Sequence, residues 1–188
     1  MIGKDRVRRI EQLAHELAYT DAPLDGPTKT EIDVVRERLL NLSLGSVVLT
    51  EWGQRLPSPE VSLAFLEALS ATVPAIGRLS LRVTVDEMYG CWALPLRTEH
   101  DEIGRARYPT VNDKANGARG ILAHRYAWRQ VIDPNIPTEQ HLDHLCRVHA
   151  CCNLSHLEPV SLAKNTKRGY HDRHILSGQP MLSFETEQ

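Results

Sequence analysis

A carboxylate, an imidazole and an amide lie within one short stretch of this chain, residues 141–169. Asp143 and His144 are adjacent, and Asn165 follows later in the same stretch. Carboxylate and amide oxygens are ligands that hard divalent cations prefer. Imidazole has an unperturbed pKa near neutral pH, which suits it to take up a proton during catalysis. The stretch therefore carries the groups that one divalent metal ion and one general base would need.

Two short strands and a helix are predicted to position these groups. The first strand ends at Asp143 and His144, a cysteine-containing loop follows, the second strand covers 156–160, and the helix covers 161–168 with Gly169 ending it. Successive side chains of a straight strand point to opposite faces. Asp143 and His144 can therefore serve one phosphate only if the strand bends or ends at this pair.

The motifs in this stretch resemble those of the HNH endonucleases, in particular a phage and bacterial branch of that family. The matching motifs are D-H-L-C-R at 143–147, Cys151, Asn153, H-L-E-P-V at 156–160 and N-T-K-R-G at 165–169. Upstream, Cys91-Trp92 and Ala123-His124-Arg125 follow the order of the same branch, so the resemblance covers residues 89–170. The chain departs from the branch at Leu154 and Lys164, where proline and glutamate are usual.

The resemblance implies a ββα-metal finger that hydrolyses DNA phosphodiester bonds and leaves 5′-phosphate and 3′-hydroxyl ends. His144 would be the general base, and Asp143 and Asn165 would hold the divalent ion, Mg²⁺ or Mn²⁺. His156 would act with His144 in catalysis by orienting it across the hairpin. Asn153 would shape the loop through hydrogen bonds from its side chain to the backbone.

Simpler interpretations of these residues stay open. An isolated Asp-His pair is most often an ordinary surface pair, although the complete motif favours the catalytic interpretation. His156 could merely pack inside the hairpin. His124 could line the site or only support it.

The cysteines allow a second metal site. Cys91, Cys146 and Cys151 recur in the resembling branch, and thiolates select zinc. Free buried thiols are the alternative, because the chain can bury a core and shows no secretory signal, which favours a reducing cytoplasm. The candidates for a fourth zinc ligand are His149, Cys152 and His124.

Charge is distributed unevenly along the chain. The formal net charge is −2, yet residues 1–102 carry −5, residues 103–173 carry +5 and the remaining residues carry −2. The basic part coincides with the predicted finger, so DNA is the expected partner, bound through its phosphates. The basic residues that would contact the DNA backbone are Arg147, Lys164, Lys167 and Arg168. Each could instead belong to a solvated face.

The predicted fold class is α+β, with an α-helical N-terminal region over 1–78, a nuclease domain over 79–174 and a tail over 175–188. Helices are predicted over 5–20, 30–42, 59–72 and 123–131, and strands over 79–85, 104–111 and 120–126. No apolar run is long enough for a membrane span, so the chain is expected to act without a membrane.

Three functions follow, in order of preference. The first is a metal-dependent DNA endonuclease, and the second is a zinc-stabilised module that holds DNA without cutting it. The third is an interaction protein that works through its acidic helices. The N-terminal helices could recognise DNA or a protein partner, but a small helical core explains their apolar faces equally and is preferred.

Overall fold

Helices make up most of the N-terminal part of the molecule. The computed structural model describes residues 2–18, 29–42, 47–96, 108–113 and 117–177. The helices in the N-terminal part are α1 (Lys4–Ala18), α2 (Lys29–Leu42), α3 (Pro59–Thr72) and α4 (Pro74–Ser80). The predictions of α1, α2 and α3 are confirmed, although residues 19 and 20 of the first prediction lie outside the described residues. Ser58 caps α3 by accepting a hydrogen bond from the Val61 amide, and Pro59 occupies the first turn.

The strands are short and pair only as antiparallel two-stranded sheets within the described residues. The first two sheets pair β1 (Val48–Leu49) with β2 (Arg55–Leu56) and β3 (Thr84–Val85) with β4 (Trp92–Ala93). The other two pair β5 (Thr110–Asp113) with β6 (Ala118–Leu122) and β7 (His141–His144) with β8 (Leu157–Val160). The remaining helices are α5 (Ala123–Val131), a 3₁₀ turn at Leu154–His156 and α6 (Leu162–Ser177). Helices and small antiparallel sheets together make this an α+β fold.

Two strand predictions have a wrong boundary, and one lies partly outside the described residues. The alternation over 79–85 is not one strand, because Leu79 is buried on α4 with Ala75 and Ile76 at helical spacing, and only β3 is extended. The strand predicted over 120–126 ends at Leu122, where α5 begins as expected. The strand predicted over 104–111 is described only from residue 108, and residues 110 and 111 belong to β5.

The third boundary error concerns the last helix. Ser161 caps α6, its hydroxyl accepting from the Lys164 amide at 3.3 Å, as the sequence predicts. Gly169 does not end the helix, which continues to Ser177. A glycine inside a helix has only a modest entropic cost. A glycine ends a helix only where the chain also leaves the helical path, and here it does not.

The buried apolar core draws on both predicted regions of the chain. Residues of α1 and α3 join Trp92, α5 and the β7–β8 hairpin in one continuous buried cluster. Trp92 is fully buried, its ring lies 5.8 Å from that of Phe65, and its indole N–H donates to the Ser62 carbonyl. The predicted division at residue 78 falls inside α4. The N-terminal helices and the β7–β8 hairpin therefore share a core.

Among the described residues, every helix is too short or too polar to cross a lipid bilayer.

Candidate functional site

The β7–β8 hairpin sets the position of the Asp143–His144 pair. In the antiparallel register Asp143 faces Glu158 and His144 faces Leu157. Strand β7 ends at His144, and α6 follows β8 after one residue. Asp143 and His144 are buried, with exposed fractions of 2% and 5%. The adjacent carboxylate and imidazole are thus held inside the protein, at the end of a strand.

Three thiols and one imidazole meet beside this hairpin. Their ligand atoms all lie within 4.8 Å of one another, and all four residues are buried. Nδ1 of His156 lies 3.6 Å from the sulfurs of Cys91 and Cys151, and all three cysteines are free thiols. Three sulfurs and one nitrogen match the ligand set of closed structural zinc sites. This thiol–imidazole cluster, which could hold a metal ion, consists of Cys91, Cys146, Cys151 and His156.

Electrostatics inside the cluster favour one thiolate. Burial raises the pKa of Cys146, but hydrogen bonds from Cys151, Cys91 and His156 outweigh it and hold that pKa well below its ordinary value. The pKa of Cys151 is raised by burial and by its thiol neighbours. A thiolate is the metal-binding form of cysteine. Cys146 is therefore the sulfur best prepared to bind a cation.

Local hydrogen bonds fix the segments that carry Cys91 and His156. The Asp86 carboxylate accepts from the amides of Tyr89 and Cys91, at 2.8 and 2.5 Å. Asn153 caps the 3₁₀ turn by accepting from the Ser155 amide at 3.0 Å, while its Nδ2 donates to the Gly90 carbonyl at 2.9 Å. Asn153 thus ties the loop before Cys91 to the turn that ends in His156.

The fourth member of the cluster differs from all three candidates that the sequence suggests. The Cys152 thiol donates to the Trp92 carbonyl at 3.3 Å instead, and His124 and His149 lie in a separate group of rings. His156 takes the fourth position. Its Nε2 lies 3.3 Å from Nδ2 of Asn153, so the contacts of both ring nitrogens are with the cluster and its loop rather than with His144. No local sequence signal indicates this, because Cys91 reaches His156 only through the fold.

A second group of rings surrounds His144. The ring centroid of His144 lies 4.8 Å from that of His124, 5.9 Å from that of Tyr108 and 6.2 Å from that of His149. Tyr108 also lies 5.4 Å from His124 and 5.0 Å from His149. No sequence motif points to Tyr108, a residue that is 38% exposed at the edge of this group. We call these four residues the aromatic group.

The contacts of His144 determine which of its nitrogens can accept a proton. Nε2 lies 3.1 Å from the Cys151 carbonyl oxygen. A carbonyl oxygen only accepts, so Nε2 carries the hydrogen and Nδ1 is the basic nitrogen of the neutral ring. Burial lowers the pKa of His144, which keeps the ring neutral at neutral pH. The cluster loop that contains Cys151 therefore orients this imidazole as a proton acceptor.

Most of the predicted DNA-binding side chains lie against carboxylates of the hairpin. Asp143 is ion-paired with Arg147 and, at 3.0 Å, with Arg168. Glu158 is ion-paired with Arg168 and, at 3.0 Å, with Lys164. Burial opposes ionisation of Glu158, but the bonds from Arg168 and Lys164 prevail and lower its pKa to about 2. The basic side chains thus neutralise two buried carboxylates.

The other two predicted residues of α6 lie on its first turns. Asn165 is half-buried, and its backbone N–H donates to the Ser161 carbonyl at 3.0 Å. Lys167 is exposed. Arg168, less than one turn after Asn165, reaches Asp143. The helix therefore brings the segment that carries Asn165 towards the Asp143 carboxylate.

Comparison with known proteins gives one curated relative. The chain is 30% identical over 62 residues to the "Uncharacterized gene 5.3 protein" of Enterobacteria phage T3, a match that covers 33% of this chain. The match spans 60% of the length of that curated relative. No protein-family model matches the chain, and no solved structure matches it. The relative is a phage protein, which agrees with the phage and bacterial character expected from the motifs.

Proposed function

We propose that this chain is a metal-dependent endonuclease of the HNH type that hydrolyses phosphodiester bonds in DNA. The observation that carries the proposal is the buried Asp143–His144 pair at the end of β7, with Nε2 of His144 bonded to the Cys151 carbonyl. That contact leaves Nδ1 as a proton acceptor, on the residue that follows Asp143 in the chain. A general base next to a ligand for a hard cation is the minimum that metal-assisted hydrolysis requires.

His144 would take the proton from the attacking water. Its lowered pKa supports this role, since a neutral ring can accept a proton at neutral pH. Asp143 and Asn165 would hold Mg²⁺ or Mn²⁺ through a carboxylate and an amide oxygen, ligands that suit a hard cation. Bound there, the ion would stabilise negative charge on the phosphate and the leaving oxygen. Lys167 would contact the DNA backbone.

The thiol–imidazole cluster would hold a structural Zn²⁺. Four protein ligands close a tetrahedral site and leave no position for water, which is typical of structural rather than catalytic zinc. The cluster supports the base directly, because the Leu145 amide donates to the His156 carbonyl at 2.8 Å and the Cys151 carbonyl accepts from His144. We therefore assign His156 to zinc rather than to His144. The four free cysteines support a reducing compartment such as a cytoplasm.

Plasmid cleavage tests the proposed activity. Purified protein with Mg²⁺ or Mn²⁺ is expected to nick or linearise supercoiled plasmid, to stop in EDTA and to recover when excess Mg²⁺ is restored. His144→Ala is expected to lower the rate by about 10²-fold or more, the usual contribution of a general base. His141→Ala is the matched control, because His141 begins the same strand and has no assigned role. Equal cleavage by His144→Ala and His141→Ala would remove the proposed base.

A second function is favoured by one observation, the ion pairs of Asp143 with Arg147 and Arg168. These pairs neutralise the carboxylate without a metal ion, as expected of a zinc-stabilised module that holds DNA without cutting it. Such a module would shift DNA in a gel at low salt, hold zinc and leave plasmid intact with every divalent ion tried. Cleavage that depends on His144 would exclude it.

A further inference from the structure

Two side chains of the N-terminal region bond to backbone carbonyls that adjoin residues of the thiol–imidazole cluster. Nε and Nη2 of Arg36, on α2, donate to the carbonyls of Ser155 and Leu157 at 3.0 and 2.5 Å. These carbonyls belong to the residues immediately before and after His156. Nε1 of Trp52 donates to the carbonyl of Leu145, the residue before Cys146, at 2.8 Å. The backbone next to two cluster residues, His156 and Cys146, is thus bonded to side chains of the N-terminal region.

The Arg36 contact is directional and well shielded. Its side chain is 11% exposed, and its remaining Nη1 bonds to Asp33 at 2.8 Å. The planar guanidinium presents donors in a rigid fork, so two carbonyls bonded to it are fixed relative to each other. The two carbonyls that Arg36 bonds belong to Ser155 and Leu157, the residues on either side of His156. Fixing them restricts the backbone that aims the imidazole at the sulfurs.

The Trp52 side chain lies on a turn and contacts two segments that lead into the cluster. The turn is closed by bonds from the Gly53 amide to the Thr50 carbonyl and from the Gln54 amide to the Thr50 hydroxyl, both at 2.9 Å. The Trp52 ring lies 6.1 Å from the ring of Tyr89, two residues before Cys91. The same residue therefore contacts the segments leading to Cys91 and to Cys146.

We propose that Arg36 is a positioning residue of the metal centre and that α2 is a working part of that centre. The inference rests on the proposed zinc site. Arg36 fixes the direction of the His156 imidazole, and Trp52 supports Cys146 in the same way. The N-terminal region then restricts the positions of His156 and Cys146. Its removal would weaken metal binding and also lower the stability of the protein.

Cobalt substitution of the full chain tests this role. Visible bands of Co²⁺ in a tetrahedral thiolate site report ligand geometry, and competition with a chelator gives metal affinity. Arg36→Gln is expected to weaken Co²⁺ and Zn²⁺ binding about 10-fold or more, as loss of outer-shell partners does, and to shift the bands. Arg36→Lys keeps the charge but loses the fork, so intermediate affinity is expected. The control is Arg38→Gln, on the same helix as Arg36, which removes an exposed ion pair with Glu16 of α1 and should match the wild type.

The outcomes separate this inference from the zinc proposal. A wild type that binds neither Zn²⁺ nor Co²⁺ would overturn both. Wild-type binding with unchanged affinity and bands in folded Arg36→Gln would overturn the positioning role alone, since a merely structural residue lowers the unfolding temperature without changing the bands. Circular dichroism reports folding. If Arg36→Gln does not fold, Trp52→Phe is used instead. Loss of its one hydrogen bond is expected to weaken Zn²⁺ and Co²⁺ binding about three-fold or more. Unchanged metal affinity in Trp52→Phe would overturn the inference.

Discussion

The buried imidazole of His124 makes stability depend on pH in a way that can be calculated. His124 is 5% exposed on the first turn of α5, and its Nδ1 has no hydrogen-bond partner among the described residues. Burial, followed by the charges of His144, Arg125 and His149, lowers its pKa from 6.5 to about 3. The perturbation is His124→Phe, which keeps an aromatic ring and removes the titration.

The sign and size follow from linkage. Between about pH 6.5 and pH 3, the unfolded chain binds a proton on His124 that the folded chain does not. The contribution of His124 is therefore fully present above pH 6.5 and is lost as pH falls, by up to about 1.4 kcal/mol per pH unit. At pH 4.5 the loss is about 3 kcal/mol. For a chain of this size that corresponds to about 6–12 °C in Tm.

Thermal unfolding followed by circular dichroism between pH 7.5 and pH 4.5 measures the effect. The fall in Tm over this range is expected to be smaller in His124→Phe than in the wild type, by the interval above. Every other titrating group is common to both proteins, so the difference isolates His124. His15→Gln, an exposed histidine on α1, is the control and should follow the wild type. Parallel Tm curves for His124→Phe and the wild type would refute the argument from burial.

Two further predictions concern the cluster and the turn before it. Cys146→Ser is expected to lower the zinc content, measured by elemental analysis, from about one equivalent to below about half. Cys152→Ser is expected to keep its zinc, because that thiol bonds to a backbone carbonyl. Equal loss of zinc in both variants would contradict the proposed ligands. Gly90→Ala places a Cβ 2.6 Å from the Ser62 hydroxyl at a φ of +69°, whereas Gly120→Ala meets open space at a φ of +64°. Measured by urea unfolding, Gly120→Ala should lower the free energy of unfolding by about 1 kcal/mol, and Gly90→Ala by at least about 2 kcal/mol more. Equal losses would show that the backbone around residue 90 can shift to make room for the Cβ.

Local signals in the sequence predict the elements around the site well. Ser58 and Pro59 begin α3 because a hydroxyl cap and a proline with fixed φ both favour a first helical turn. The end of β7 at His144 and the cap at Ser161 follow from equally short patterns. Leu79 is the counterexample, since its spacing suits either a strand or the last turn of α4, and packing against the core selects the helix.

The residues of the thiol–imidazole cluster show where prediction from sequence stops. The resemblance to the phage and bacterial branch groups Cys91, Cys146 and Cys151, because these three cysteines recur in it. It does not indicate that His156 completes them, since that depends on a 3₁₀ turn and on the approach of Cys91 from a separate hairpin.

Sequence alone therefore determined the chemistry available to this protein: a carboxylate beside an imidazole, thiols suited to zinc, and a basic segment hidden by a net charge of −2. These depend on residue type and spacing along the chain. Tertiary structure decided the partners: His156 with the thiols, Arg36 on the carbonyls around it, and Arg168 on Asp143. Such contacts join residues far apart in sequence, and they exist only because burial of one shared core brings α2, the loop before Cys91 and the β7–β8 hairpin together.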